Sequence, residues 1–168
     1  MRMRWFLAAA IGVLVVAGCG KSGGPAGGAG ADACALIVET GALFGAGAVV
    51  TPGRGDGKIA GDCSWASADG ARGGGLMLYT AQSLGPDTPA ATMAHLADTW
   101  NAMTETPLAP IAGLGDEAQI AADLPGYQTQ ILVRKGDKLI ALQAWSGDSA
   151  MRGEALARRM AEAAAANL

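Results

Sequence analysis

Hydrophobic and polar positions divide this chain into an unbroken apolar opening, a stretch with no pattern, and a long region that alternates between helical and strand periodicity. Trp5 to Ala17 contains no polar side chain, and residues 20–31 are almost entirely Gly and Ala, with nothing to pack. From there Leu36, Ile37, Thr40, Leu43 and Phe44 recur on one side at helical spacing, which predicts a helix from an Asp32 cap to Phe44 with Gly45 as its stop. A short strand over 48–51, a loop from Pro52 to Gly57, and strands over 62–67 and 76–81 follow, the last two joined through Asp69-Gly70 and Gly73-Gly74-Gly75. Thr88-Pro89 supplies a capping hydroxyl and a proline at the first helical position, opening a second helix whose apolar face is Met93, Leu96, Trp100 and Met103. Pro107 and Pro110 end that helix and lead into a short strand, and 117–122 reads as a further strand.

The sharpest local signal is a hairpin, Tyr127 to Lys135 and Lys138 to Trp145, turning on Gly136-Asp137. A two-residue loop pairs Lys135 with Lys138, so Val133 faces Ile140, Ile131 faces Leu142 and Thr129 faces Ala144. On the opposite face Leu132 meets Ala141 and Gln130 meets Gln143. The first set lacks a strongly polar pair and is the core face. A last helix, Ala150 to Ala166, buries Gly153, Leu156, Met160 and Ala163, with Glu154, Arg158 and Glu162 as a solvated ladder on its other side. The order lacks regular β-α-β alternation, which disfavours a parallel sheet. The fold class expected is therefore α+β, a mainly antiparallel sheet with three helices packed on one face.

Cysteine usage adds a constraint. Three cysteines leave one over, and Cys19 is the one placed apart, ahead of the patterned region. Arg2 and Arg4 precede the apolar run, and Val16-Ala17-Gly18-Cys19 closes it, an arrangement that resembles the signal and lipobox of a bacterial lipoprotein. Thirteen residues rise only about 20 Å as a helix, too little for a permanent span. The resemblance implies cleavage before Cys19, lipid on its sulfur, and attachment to the membrane through acyl chains. It divides the chain into a signal peptide over 1–18, a lipidated cysteine and linker over 19–31, and one domain over 32–168. Localisation follows as the cell envelope: the outer membrane facing the periplasm where there are two membranes, otherwise the outer face of the cell membrane. Export to an oxidising compartment makes Cys34 and Cys63 the expected disulfide. A bond from a strand to the start of the first helix turns Cys63, and with it Trp65, toward the helices.

Asp32-Ala33-Cys34-Ala35-Leu36-Ile37, Cys63-Ser64-Trp65 and Gly113-Leu114-Gly115-Asp116-Glu117-Ala118 together are similar to a family of small bacterial lipoproteins best known from high-G+C Gram-positive bacteria. The similarity spans about residues 32–145 and departs from the family in the glycine-rich loop 53–61. It implies a disulfide-clipped α+β domain behind a lipobox. The family has no agreed activity, so the likeness adds no reaction.

Charge and candidate chemistry narrow the function without naming it. With Arg2 and Arg4 removed, ten basic residues face fifteen acidic ones, a net −5 that argues against nucleic acid as a partner. His95, the single histidine, lies near Asp98 on the second helix, but no G-x-S-x-G or similar nucleophile signature completes a triad. One histidine and a committed cysteine pair cannot build a zinc site. Asp116 and Glu117 read as turn acceptors for local amides. The loop around Gly53–Gly61 fails as a P-loop at Pro52 and Ile59, and Gly55-x-Gly57-x-x-Ala60 precedes a strand where a dinucleotide site needs a helix. Arg54-Gly55-Asp56 matches a tripeptide read by adhesion receptors, a coincidence expected in a glycine-rich loop. Trp145 shares its sheet face with Leu132 and Leu139, which makes those three the candidate binding face. The reading is a membrane-anchored, non-catalytic binding or accessory module with no catalytic residue, metal or cofactor. Its partner is another envelope protein or a small apolar ligand. The alternatives are an envelope hydrolase, or a structural lipoprotein that associates with its own copies.

Overall fold

The structure, a computed structural model, describes residues 32–124, 128–148 and 151–168. The expectations placed on the signal peptide, on Cys19 and the linker, and on Tyr127 and Ala150 lie outside those residues.

One antiparallel sheet organises the domain, and the expected α+β class is what the chain adopts. Seven strands, β1 (Val49–Pro52), β2 (Gly61–Ala66), β3 (Arg72–Thr80), β4 (Ala109–Pro110), β5 (Glu117–Leu124), β6 (Gln128–Lys135) and β7 (Lys138–Ser146), lie in the order β1-β2-β3-β7-β6-β5-β4. Two meanders, β1-β2-β3 and β4-β5-β6-β7, meet where β3 pairs with β7 over nine residues, from Arg72 opposite Ser146 to Thr80 opposite Lys138. The hairpin register is the one its turn demands. Lys135 pairs with Lys138, Val133 with Ile140, Ile131 with Leu142 and Thr129 with Ala144. Gly136 occupies the left-handed region at φ 59° that such a turn requires.

The first sheet face carries the main core. Trp65, Leu76, Leu78, Ile131, Val133, Ile140 and Leu142 meet the N-terminal segment and helix α4 (Gly153–Ala166). Helix α4 presents Ala157, Ala161, Ala164 and Ala165 beside Leu156 and Met160, a small-residue surface that lets it lie close on the sheet. Ala163, expected in the core, is only half-buried. Lys135 Nζ donates to Ala165 O at 2.7 Å, and Lys138 Nζ donates to Leu168 O at 2.9 Å, placing two cations at the carbonyl end of α4. Glu154 accepts from Arg158 Nε at 2.8 Å on its outer side.

The N-terminal helix is not continuous. Asp32 Oδ1 caps a 3-10 turn over Ala33–Leu36 by accepting from Cys34 N (3.0 Å) and Ala35 N (3.3 Å). Ile37 is extended at φ −123°, and α1 (Thr40–Phe44) begins afresh. The β-branched pair Ile37-Val38 disfavours helix at the break. The bond from Cys34 to Cys63, with Cα atoms 5.1 Å apart, pins the turn to β2. Phe44 stacks on Trp65 with centroids 6.4 Å apart and planes at 5°, so Cys63 and Trp65 both face the helices as the strand pattern required.

Gly73-Gly74-Gly75, expected in the connection, lies inside β3, paired with Ala66, Trp65 and Ser64, and the turn is made by residues 67–71. The helices are also not all on one face. Helix α3 (Pro89–Met103) packs with Met93, Ala97 and the half-buried Leu96 and Trp100 against Tyr79, Ala121, Leu132, Leu139 and Ala141 on the opposite face, where α2 (Ala81–Leu84) adds Leu84. That face carries Tyr79, Leu132 and Leu139, large side chains that need a cover of their own. Met103, assigned to the apolar face of α3, is 70% exposed where the helix runs past the sheet.

Candidate binding cleft

The proposed patch of Leu132, Leu139 and Trp145 does not exist as a surface. Leu132 is 1% exposed and Leu139 is 0% exposed, both beneath α3. Trp145 is half-buried on the same face but pairs with Gln128 and Gly73, four residues along β6 from Leu132. Sequence alternation placed the three on one face correctly. It carried no information on how far apart they sit or on which half α3 covers.

The half that α3 leaves open holds a cleft of about 410 Å³ floored by β2, β3, β7 and β6. Its floor side chains follow from the register. Asp62 opposes Met77, Ser64 opposes Gly75, Gly75 opposes Gln143, and Gln143 opposes Gln130, so these project from one face. Gln143, Ser64 and Met77 are exposed, and Gln130 is half-buried. Among the described residues, none of the side chains of Ser64, Gln130 and Gln143 makes a hydrogen bond to the protein. They form an uncharged polar surface with its bonding capacity unspent.

The glycine run shapes this floor in three different ways. A Cβ on Gly73 would lie 2.1 Å from Trp145 Cζ2, because the indole lies over that residue. A Cβ on Gly74, on the other face, would lie 2.6 Å from Met160 Cε and 2.9 Å from the Gln143 carbonyl oxygen. A Cβ on Gly75 would find no atom nearer than 3.9 Å. Packing therefore explains two of the glycines and not the third. Gly75 keeps the middle of the cleft open, and glycine inside a strand often marks close approach by a ligand.

The loop 53–59 forms one wall. Gly55 N donates to Asp62 Oδ1 at 2.7 Å, Gly53 N donates to Asp62 O at 2.8 Å, and a Cβ on Gly53 would run into the Asp62 carboxylate. Gly55 itself sits at φ 66° against the Ile59 carbonyl oxygen. Ser83 Oγ donates to Lys58 O at 2.8 Å, and Lys58 pairs with Asp87, tying the loop to α2 and the turn after it. Gly53 and Gly55 are thus explained by the wrapping of Asp62, while Gly57 takes a left-handed turn at φ 57°. Arg54 and Asp56 line the cleft, and neither is engaged by another side chain among the described residues.

The remaining candidates lie outside this cleft. Asp116 Oδ2 accepts from Gly136 N at 2.7 Å and pairs with Arg134 at 3.3 Å, while Glu117 pairs with Arg134 Nε at 3.4 Å. The two carboxylates thus lock the hairpin turn to β5. His95 and Asp98 are both exposed on α3. No group of three or more His, Cys, Asp and Glu side chains among the described residues is placed to hold a metal. No helix among them is long and apolar enough to cross a membrane. Burial raises the Tyr79 phenol above its ordinary range, and Tyr79 OH reaches Met77 Sδ at 3.8 Å beside the cleft.

Ser64, Gly75, Met77, Gln130 and Gln143 were missed as site residues. The Gln130–Gln143 pair is legible in the hairpin register, on the face whose apolar residues alone mark it as a candidate binding face in the sequence. No protein-family model, curated protein or solved structure matches the chain.

Proposed function

We propose that this chain is a lipid-anchored cell-envelope protein whose domain binds a ligand in the cleft that the loop 53–59 walls over β2, β3, β7 and β6. Support for the anchor comes from Arg2 and Arg4, the apolar run Trp5–Ala17 and Val16-Ala17-Gly18-Cys19, followed by twelve residues of linker composition. The observation that carries the binding reading is Gly75: a mid-strand glycine that no neighbour requires, at the centre of an open cleft with three unspent polar side chains. A role in binding accounts for a residue that otherwise only weakens β3.

Two measurements test the two halves. Cys19→Ser should abolish lipid attachment and leave the precursor uncleaved or the protein released from membranes. Unaltered mass and membrane fractionation would refute the anchor. Hydrogen exchange of the full-length protein with separated glycan, lipid and protein fractions of the envelope tests the cleft. One fraction should protect amides of 73–77 and 141–145 in wild type and not in Gly75→Leu. Absence of protection by every fraction, or equal protection of the variant, would refute binding there.

A further inference from the structure

We infer that the ligand of this cleft is a neutral glycan bearing acetamido groups, an inference that rests on the binding reading above. Four observations select that chemistry.

The floor is made of the central strands β3 and β7, whose backbone groups are spent on pairing with β2, β6 and each other. An extended peptide gains affinity by adding to a sheet edge, and this floor has none to offer. Recognition here must go through side chains. Gln130 and Gln143 face each other across the β6–β7 pair, and each primary amide both donates and accepts. Ser64, across Gly75, adds a hydroxyl with the same dual capacity. An acetamido group also donates and accepts, and ring hydroxyls do the same, so the match is group for group. A lipid chain would instead cover these groups without satisfying them, and each would lose its water at a cost.

Charge disfavours an anionic ligand. The lining carries one cation, Arg54, against the two carboxylates Asp56 and Asp62, the latter accepting from Gly55 N. One cation beside two carboxylates gives no attracting field for a polyanion. The aromatic component is Trp145, one step along β7 from Gln143 on the same face and beside the cleft, its half-buried indole packed where a Gly73 Cβ would stand. The electron-rich π face of such a ring attracts the C–H groups of a pyranose. Gly73 permits that platform and Gly75 gives the adjoining ring depth. The two glycines thereby serve one sugar chain.

The test is calorimetry and hydrogen exchange on the full-length protein with the trimer of N-acetylglucosamine, against tetra-alanine and a lysophospholipid below its micelle concentration. The trimer should bind saturably and protect 73–77 and 141–145. Gln143→Leu and Trp145→Ala should each weaken it by about tenfold. Gly75→Leu should abolish it, and His95→Ala on the far helix should leave it unchanged. Gln143 is exposed and its substitution should leave the unfolding midpoint in place, so lost binding there is not lost folding. Failure of the trimer to bind, binding unaffected by Gly75→Leu, or preferential binding of the peptide or the lipid would each overturn the inference. If an envelope fraction protects the cleft while the trimer does not, the glycan assignment falls and the binding site stands. If neither does, both fall.

Discussion

Three consecutive glycines with three different surroundings make β3 a graded experiment on strand packing. Alanine at 75 meets nothing within 3.9 Å and needs no unusual backbone angle, so its main effect is to remove freedom from the unfolded chain. That contributes about 0.4–1 kcal/mol of stability. Alanine at 73 places a methyl 2.1 Å from Trp145 Cζ2 and 2.6 Å from Cε2, so the indole must lift from the strand. Alanine at 74 meets the flexible Met160 terminus at 2.6 Å, but it also meets the Gln143 carbonyl oxygen at 2.9 Å, which belongs to the paired strand and cannot turn away. Each of these should cost about 1–3 kcal/mol, as overpacking does. At about 3 °C per kcal/mol for a domain of this size, Gly75→Ala should raise the unfolding midpoint by about 1–3 °C and the other two lower it by about 3–9 °C. Urea titration followed by circular dichroism, with the slope checked for constancy, reads the order directly. If Gly75→Ala proves as destabilising as Gly74→Ala, the middle of the floor is packed. Gly75 is then required by packing and is not kept for a ligand.

Three further outcomes are expected. Opening Cys34–Cys63, whose sequence separation is 29, should lower stability by about 2–4 kcal/mol, with exchange rising first in the 3-10 turn Ala33–Leu36; thiol labelling of both positions in the native exported protein would contradict the bond. Leu139→Ala, at 0% exposure beneath α3, should cost about 2–5 kcal/mol, and a near-neutral result would refute the placement of α3 on that face. The Asp69 carboxyl is held below its ordinary range, first by Ser67 Oγ donating at 2.6 Å and then by Ala71 N at 3.0 Å. A depressed folded value stabilises above the unfolded pKa and is lost as pH falls through the folded one. The turn 67–71 should therefore loosen only below the usual carboxylate range, and Asp69→Asn should remove that acid dependence in an exchange or NMR titration.

Much of the architecture is readable locally because its causes are local. A two-residue Gly-Asp turn determines pairing by geometry alone, so the β6–β7 register from Lys135–Lys138 outward needs no tertiary information. Thr88-Pro89 caps α3, with Thr88 Oγ1 accepting from Ala91 N at 3.1 Å, and the odd number of cysteines points to the pair that bonds. The class of fold follows from the order of such elements. What the chain alone could not declare is which surfaces meet. Leu132, Leu139 and Trp145 share a face by alternation, yet whether that face is solvent or core depends on where α3 lands, and no periodicity in α3 records its destination. The same holds for Gly73-Gly74-Gly75. As a string it resembles a linker, and only Trp145 from β7 and Met160 from α4 give the first two glycines their reason. The cleft is further removed still, since Ser64, Gly75, Gln130 and Gln143 come from four strands that become neighbours only when the two meanders join at β3 and β7. Residues distant in the chain acquire a shared function through long-range pairing, and that pairing is a property of the folded whole.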